Sequence, residues 1–82
     1  MGSKRGRMEI LADILRIAKG GARVTRVVYG ANLNFKLFRE YLEELKEAGL
    51  VVEDGKLIRT TEKGAQFLNL FQELRSMLTL LG

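Results

Sequence analysis

The sequence lacks cysteine and histidine altogether, and these two absences exclude whole classes of chemistry. Without cysteine there is neither a disulfide nor a thiolate zinc site. Without histidine the chain has lost the usual general base and the commonest metal ligand. The sequence contains carboxylates, but it has no nucleophile–base pair, no glycine-rich phosphate loop and no turn-forming loop of oxygen ligands. We therefore expect no enzyme activity, no catalytic residues, no bound metal and no cofactor.

Long apolar runs are also missing. No segment approaches the ~20 apolar residues that a membrane-spanning helix needs, and the basic N-terminus does not lead into a secretory apolar region. A chain of 82 residues suffices for one small domain. Such a domain buries only about 60% of the surface that its unfolded chain exposes, so it is marginally stable alone. We expect a soluble cytoplasmic protein that does not bind membranes.

The positive charge is concentrated near the N-terminus. The net charge is +4, and residues 1–26 hold seven bases against two acids. Residues 34–47 hold three bases against four acids, and residues 48–82 are balanced. A positive field of this kind favours a polyanionic partner. The alternative is that the first basic residues, Lys4, Arg5 and Arg7, form only a solubilising tail.

Apolar spacing predicts three helices before residue 50. The segment MEILADILRIAK (8–19) has the broad stripe of an amphipathic helix, and Gly20-Gly21 ends it. After the short extended link ARV, Thr25 is placed to cap a brief helix, RVVYGA. Asn34 is placed in the same way before a longer helix, which Gly49 ends. The residues predicted to form the buried face of this third helix are Phe35, Phe38, Tyr41, Leu42 and Leu45.

The pattern then changes to that of a β-hairpin followed by a helix. LVVE and KLIRT are β-prone runs joined by Asp54-Gly55, a two-residue turn signal. Thr60 or Thr61 is placed to cap a last helix from about residue 61 to 81. The predicted fold is therefore α+β, mainly α: a winged helix-turn-helix of three helices plus a β-hairpin wing, with a long C-terminal dimerisation helix. A three-helix bundle with an incidental hairpin is the alternative. The corresponding parts are a basic tail (1–7), the winged domain (8–60) and the dimerisation helix (61–82).

Particular motifs also resemble those of a known family. They are RMEILADIL in the first helix, TRVVYGANLNF across the turn between the second and third helices, and TEKG at the start of the last helix. Together they resemble the archaeal winged-helix DNA-binding family, which includes small dimeric chromatin-associated proteins. The resemblance implies binding of double-stranded DNA and dimerisation through the last helix. The chain departs from the family at Leu37, where a polar residue is expected, and in the shortness of its last helix.

The third helix carries its charges in an order that opposes its macrodipole. Lys36 and Arg39 lie in its first turns, although acids are favoured there by roughly 0.3–1 kcal/mol per exposed charge. The order suits an end-on approach to DNA, in which only the first turns and their free amides meet phosphates. One alternative is a solvated face with weak (i, i+4) ion pairs, and another is a protein-interaction module whose acidic face binds a basic partner. Of the carboxylates in the acidic half of this helix, Glu40, Glu43 and Glu47 share the acidic face with Lys36, and Glu44 completes the cluster.

The second helix and the wing supply further cations. In a winged helix-turn-helix the third helix approaches the major groove while the second crosses the backbone. Lys56 in the wing is expected to make at most a backbone contact, because two neighbouring carboxylates nearly cancel the positive charge there. Asn32, Asn34, Lys36 and Arg39 could in principle reach base edges, whereas phosphate contacts alone would give sequence-tolerant binding. The predicted DNA-binding residues are Arg23, Thr25, Arg26, Asn34, Lys36, Arg39 and Lys56.

The last helix has an apolar seam with the four-and-three spacing of a coiled coil, beginning at Phe67. A helix of about 30 Å is longer than a core of this size can cover. We therefore expect its first turns to pack on the first helix and its last turns to meet a second subunit. A folded-back core within one chain is the alternative. The predicted dimerisation residues are Phe71, Leu74, Met77, Leu78 and Leu81.

Together these features predict a nucleoid-associated homodimer that binds double-stranded DNA. It would act as a transcriptional regulator or as a chromatin-associated architectural protein, two roles that share the same contacts. A small-ligand sensor is a third possibility, although the sequence indicates no ligand pocket.

Overall fold

A computed structural model describes the backbone of residues 5–81 and the side chains of residues 5–79. The chain forms four helices and one antiparallel sheet of three strands, in the strand order β1-β3-β2. This architecture confirms the predicted winged helix-turn-helix fold and the predicted order of elements. The elements are α1 (Arg7–Ile17), β1 (Ala22–Arg23), α2 (Val24–Gly30), α3 (Phe35–Glu47), β2 (Val51–Asp54), β3 (Leu57–Thr60) and α4 (Glu62–Leu81).

A single hydrophobic core joins the first three helices to the sheet. Ile14 and Leu15 of α1 are completely buried, and so is Ile58 at the centre of the sheet. Every buried side chain of the described residues is apolar, so the core is held by burial, at about 1.5–3 kcal/mol for each large side chain. The remaining large members of the core are Leu11, Val27, Val28, Phe38, Leu42, Leu45, Leu50 and Val51.

The caps of α3 and α4 agree with the sequence, whereas the predicted cap of α2 is wrong. The Oδ1 atom of Asn34 accepts a hydrogen bond from the amide of Leu37 at 2.7 Å. Thr61, the second of the two predicted candidates, accepts one from the amide of Gly64 at 3.0 Å. Thr25 is not the cap, because β1 pairs with β3 and leads directly into α2. The helix begins at Val24, two residues earlier than predicted, with extended Arg23 at its N-cap.

The turn of the wing lies one residue later than predicted. Asp54 pairs with Leu57 in the β2–β3 ladder, so the two loop residues are Gly55 and Lys56 rather than Asp54 and Gly55. Gly55 has a φ of +65°, which is the conformation that a type II′ turn needs at its first central position. The shift places Asp54 inside a strand and Lys56 at the tip of the wing.

The buried face of α3 is shorter than predicted. Phe38, Leu42 and Leu45 are buried and Tyr41 is partly buried. Phe35 is wrongly assigned to this face, because it is the first residue of the helix and the core covers only the later turns. Its side chain is 42% exposed.

The first turns of α4 pack closely on the winged domain, and its later turns do not. A Cβ atom at Gly64 would lie only 2.2 Å from the carbonyl oxygen of Leu50, so any larger residue would push α4 away. Leu68 is buried and Phe67 packs against the core. Beyond these residues α4 continues past the core. No helix within residues 5–81 is long and apolar enough to cross a membrane.

Candidate nucleic-acid interface

The first turns of α3 present two cations on the surface. Lys36 and Arg39 are exposed, and the first turn of the helix contains no acidic residue. Neither cation forms an ion pair within residues 5–79, so the weak (i, i+4) pairs with Glu40 and Glu43 are not present there. The predicted site residue Asn34 is exposed as well, but its Oδ1 atom is occupied by the amide that it caps.

The second half of α3 uses its charges for intramolecular contacts. Glu44 accepts a hydrogen bond from Arg7 of α1 at 2.5 Å, and Arg7 also lies over the ring of Tyr41, 6.0 Å from its centroid. Lys46 donates to Glu53 of β2 at 2.6 Å. Two of the four carboxylates in the acidic half of the helix, Glu43 and Glu44, are therefore paired with cations of the same chain.

The ion pair between α3 and the wing is strong enough to affect the pKa of Lys46. The hydrogen bond from Lys46 to Glu53 raises that pKa, desolvation of the ammonium opposes the shift, and the charges of Glu53 and Glu43 add to it. The pair joins the C-terminal end of α3 to β2 at the surface. Beneath it, Leu45 of α3 and Val51 of β2 belong to the same buried core, which holds the two elements together.

A second group of cations lies beside the wing and at the start of α2. Arg23 pairs with Leu57 across the β1–β3 ladder, so it lies beside the turn that carries Lys56. Arg26 is exposed in the first turn of α2, next to the exposed Thr25. The sequence alone suggested that the wing carboxylates cancel Lys56, but Asp54 instead pairs with Arg59 at 3.1 Å. Lys56 has no carboxylate partner within residues 5–79.

The N-terminal basic residues that the structure describes are engaged with the domain. Arg5 pairs with Asp13 of α1 at 2.5 Å and donates a hydrogen bond to the carbonyl of Ala31, at the end of α2. It thus ties the turn that precedes α3, where Asn32 has a φ of +58°, to the first helix. Arg5 and Arg7 are therefore not a free tail, and residues 1–4 lie outside the described part of the chain.

The later turns of α4 expose a continuous apolar stripe. Phe71 is partly buried beneath Arg75, whose guanidinium lies 5.8 Å from the centre of its ring. The side chain of Leu81 lies outside the described residues. Four large apolar side chains on the same stripe are between 54% and 65% exposed: Leu70, Leu74, Met77 and Leu78.

In this chain α2 and α3 are joined by a short turn, α1 precedes them and the β2–β3 hairpin follows them. This arrangement defines a winged helix-turn-helix protein. The chain belongs to the winged helix-turn-helix family, whose profile matches residues 4–79. It is 32% identical over 72 residues to an uncharacterised protein of Methanocaldococcus jannaschii, covering 87% of this chain and 74% of the relative. It is also similar to the crystal structure of Sso10a-2, a DNA-binding protein from Sulfolobus solfataricus. That match has a TM-score of 0.82 and 32% identity, and covers 94% of this chain and 85% of the other. The resemblance to an archaeal winged-helix family is thereby confirmed.

One feature of this surface was missed by the sequence analysis. Phe35 stands between the cap residue Asn34 and the exposed Lys36, and the helical period predicted that it would be buried. Periodicity identifies which side of a helix an apolar residue lies on, but not whether a neighbouring element reaches that turn. The only sequence signal for its exposure is its place at the first helical position after the cap.

Proposed function

We propose that this chain binds double-stranded DNA, with the first turn of α3 entering the major groove and α2 and the wing contacting the phosphate backbone. The observation that carries the proposal is the selective pairing of charges. Five exposed cations at the start of α2, the start of α3 and the tip of the wing have no carboxylate partner within residues 5–79. These five are Arg23, Arg26, Lys36, Arg39 and Lys56. Elsewhere in the winged domain Arg16, Lys46 and Arg59 are paired with carboxylates, and Lys19 has no such partner among the described residues.

An end-on approach of α3 accounts for its charge order. Near the N-terminus of the helix, Lys36 and Arg39 add positive charge to amides that already favour anions. The recognition helix of this fold is expected to contact DNA through its N-terminal residues first. The description of Sso10a-2 as a DNA-binding protein supports the same function for this chain.

The rival function is an interaction module whose acidic face on α3 binds a basic protein. That face is less available than the sequence suggested, because Glu43 and the neighbouring Glu44 already pair with Lys46 and Arg7. A basic partner would have to compete with these contacts. DNA binding is therefore the better-supported function.

We further propose that the protein is a homodimer held through α4. Fully burying one large apolar side chain stabilises by about 1.5–3 kcal/mol, and four such side chains on α4 are more than half exposed in the single chain. Pairing of two α4 helices, more favourably antiparallel, would cover them and hold two recognition helices on one assembly. Such a dimer would act in the cytoplasm on the nucleoid, as a regulator or as an architectural protein.

The DNA-binding proposal is tested by a salt titration against operator-like and random duplexes. If each subunit neutralises four or five phosphates, a dimer makes eight to ten contacts. The logarithm of the affinity should then fall against the logarithm of salt concentration with a slope of roughly −7 to −9, at about −0.9 per contact. A slope near zero, or no binding to any duplex at low salt, would favour the protein-partner function.

The dimer is tested by sedimentation of the unmodified protein and of Leu78→Glu. Leu78 lies beyond the part of α4 that packs on the core, so its replacement should dissociate the dimer and leave the winged domain folded. DNA affinity should fall sharply, because one linked binding event becomes two independent ones. Ser76→Glu adds the same charge to the opposite side of α4 and should leave the dimer intact. A monomer at micromolar concentration would refute the proposal, and a dimer that tolerates Leu78→Glu would place the interface elsewhere.

A further inference from the structure

Phe35 is an exposed aromatic residue at the leading end of the recognition helix. It is the first residue of α3 and 42% of it is exposed. It is neither a member of the hydrophobic core nor one of the partly buried side chains that pack against it. The exposed part of its ring adds nothing to the stability of the single chain and is open to a partner.

The surroundings of Phe35 are those of a surface that meets a polyanion. Lys36 follows it directly, and Arg39 lies one helical turn further along the same side of the helix. The first turn of α3 contains no acidic residue. A basic protein partner would be repelled at this end of the helix, whereas a nucleic acid would be attracted to it.

We propose that the ring of Phe35 contacts the C5-methyl groups of thymine in the major groove, and so gives the protein a preference for A·T over G·C base pairs. The inference rests on the proposed DNA-binding function and assigns the reading of bases to one side chain. Phenylalanine has no hydrogen-bonding group, so it cannot distinguish the donor and acceptor pattern of a base edge. The thymine methyl is the one apolar group that the bases display in the major groove.

This assignment separates two tasks on the same helical turn. Lys36 and Arg39 contribute charge, which attracts every duplex equally and carries no sequence information. Phe35 contributes an apolar contact that depends on whether a methyl group is present. The exposed ring of Phe35 then has a functional meaning, because it reads methyl groups rather than hydrogen bonds.

The experiment compares a mixed-sequence duplex with the same duplex in which uracil replaces every thymine. This replacement removes the methyl group and keeps the hydrogen-bonding edge. Burial of one methyl-sized group changes affinity about fourfold, so a dimer with two such contacts should prefer the thymine duplex on the order of tenfold. Phe35→Ala should bring this ratio close to one.

A matched control and a second measurement separate the reading of methyl groups from other effects. Lys36→Ala should weaken binding to both duplexes and leave the thymine-to-uracil ratio unchanged. Thermal unfolding should show that Phe35→Ala remains folded, since the residue lies outside the core. The unmodified protein provides a test that needs no variant: replacing cytosine by 5-methylcytosine should raise its affinity for the duplex.

The outcomes distinguish this inference from the proposed function. Equal binding of the thymine and uracil duplexes by the unmodified protein would overturn the inference and leave DNA binding intact. The inference would also be overturned if Phe35→Ala kept the preference for the thymine duplex over the uracil duplex, because another residue would then read the methyl group. Failure to bind any duplex at low salt would refute the proposed function and, with it, the role of Phe35.

Discussion

The two halves of α3 use the same kinds of side chain for different purposes. In the first half, Lys36 and Arg39 are exposed and have no ion-pair partner within residues 5–79. In the second half, Glu44 is bound to α1 and Lys46 is bound to β2. The charge order of α3 opposes the helix dipole because its two halves use their charges differently. In the second half one acid and one base contact neighbouring elements, whereas the two bases of the first half remain available to a partner.

The magnitudes explain why this order is tolerated. Two cations near the N-terminus destabilise α3 by roughly 0.3–1 kcal/mol each. The Asn34 cap contributes about 1 kcal/mol in the opposite sense. The buried side chains of Phe38, Leu42 and Leu45 contribute about 1.5–3 kcal/mol each. Burial therefore decides the stability of the helix, and the first turn is free to carry charges that suit its partner.

The largest expected effect follows from reversing the charges of the first half. In a dimer, Lys36→Glu combined with Arg39→Glu removes four phosphate contacts, and DNA affinity at about 0.1 M salt should fall on the order of 10³-fold. The thermal stability should change little, because the gain from acids at the positive end of the helix dipole is offset by like-charge (i, i+4) pairs with Glu40 and Glu43. Fluorescence anisotropy with a labelled duplex and a thermal melt measure the two quantities. Unchanged affinity would mean that the first half of α3 does not meet DNA.

A smaller effect is expected when the cap of the first half is removed. Asn34→Ala leaves the amide of Leu37 without its acceptor and should lower the free energy of unfolding by about 1 kcal/mol, or about 4–8 °C in melting temperature for a domain of this size. Asn34→Asp is the matched control, since it keeps the cap but adds a negative charge. It should preserve the melting temperature and weaken DNA binding. If Asn34→Asp melted as early as Asn34→Ala, the capping role would be refuted.

A substitution in the second half of α3 should change the stability of the domain rather than its DNA binding. Glu44→Gln removes the charge that pairs with Arg7, and both side chains are well exposed, so the loss in unfolding free energy should be at most about 1 kcal/mol. DNA affinity should be unchanged within about twofold, because the pair only joins α3 to α1. Chemical denaturation and anisotropy measure the two effects. A large loss of DNA binding would contradict the separation between the two halves of α3.

The smallest effect is expected at the far end of α3. Glu47→Lys adds positive charge on the exposed side of the helix, and an end-on approach leaves this position beyond the reach of the phosphates. DNA affinity should therefore change little. If Glu47→Lys tightened binding as much as Lys36→Glu weakens it, the DNA would run along the whole helix. The proposal that only the first half of α3 meets DNA would then be wrong.

Local signals in the sequence predicted most of the fold. The Asn34 cap, the Thr61 cap and the buried face of α3 from Phe38 onward depend on residues only a few positions apart, and the structure confirms each of them. The errors occurred where a neighbouring element changes a local preference. The start of α2 moved because β1 pairs with β3, and the wing turn moved by one residue because the ladder pairs Asp54 with Leu57.

The candidate site was predicted less completely than the fold, for the same reason. The sequence by itself determined which residues are charged, which faces are apolar and where the helices stop, because periodicity and capping act over one or two turns. Only the tertiary structure decided which charges are paired, since Arg7 and Glu44 are 37 positions apart in the chain. The tertiary structure also decided that Phe35 is exposed, because the core covers α3 only from Phe38 onward. The pattern of a single helix indicates which of its sides is buried, but ion pairs and the extent of burial also depend on which element lies against each turn.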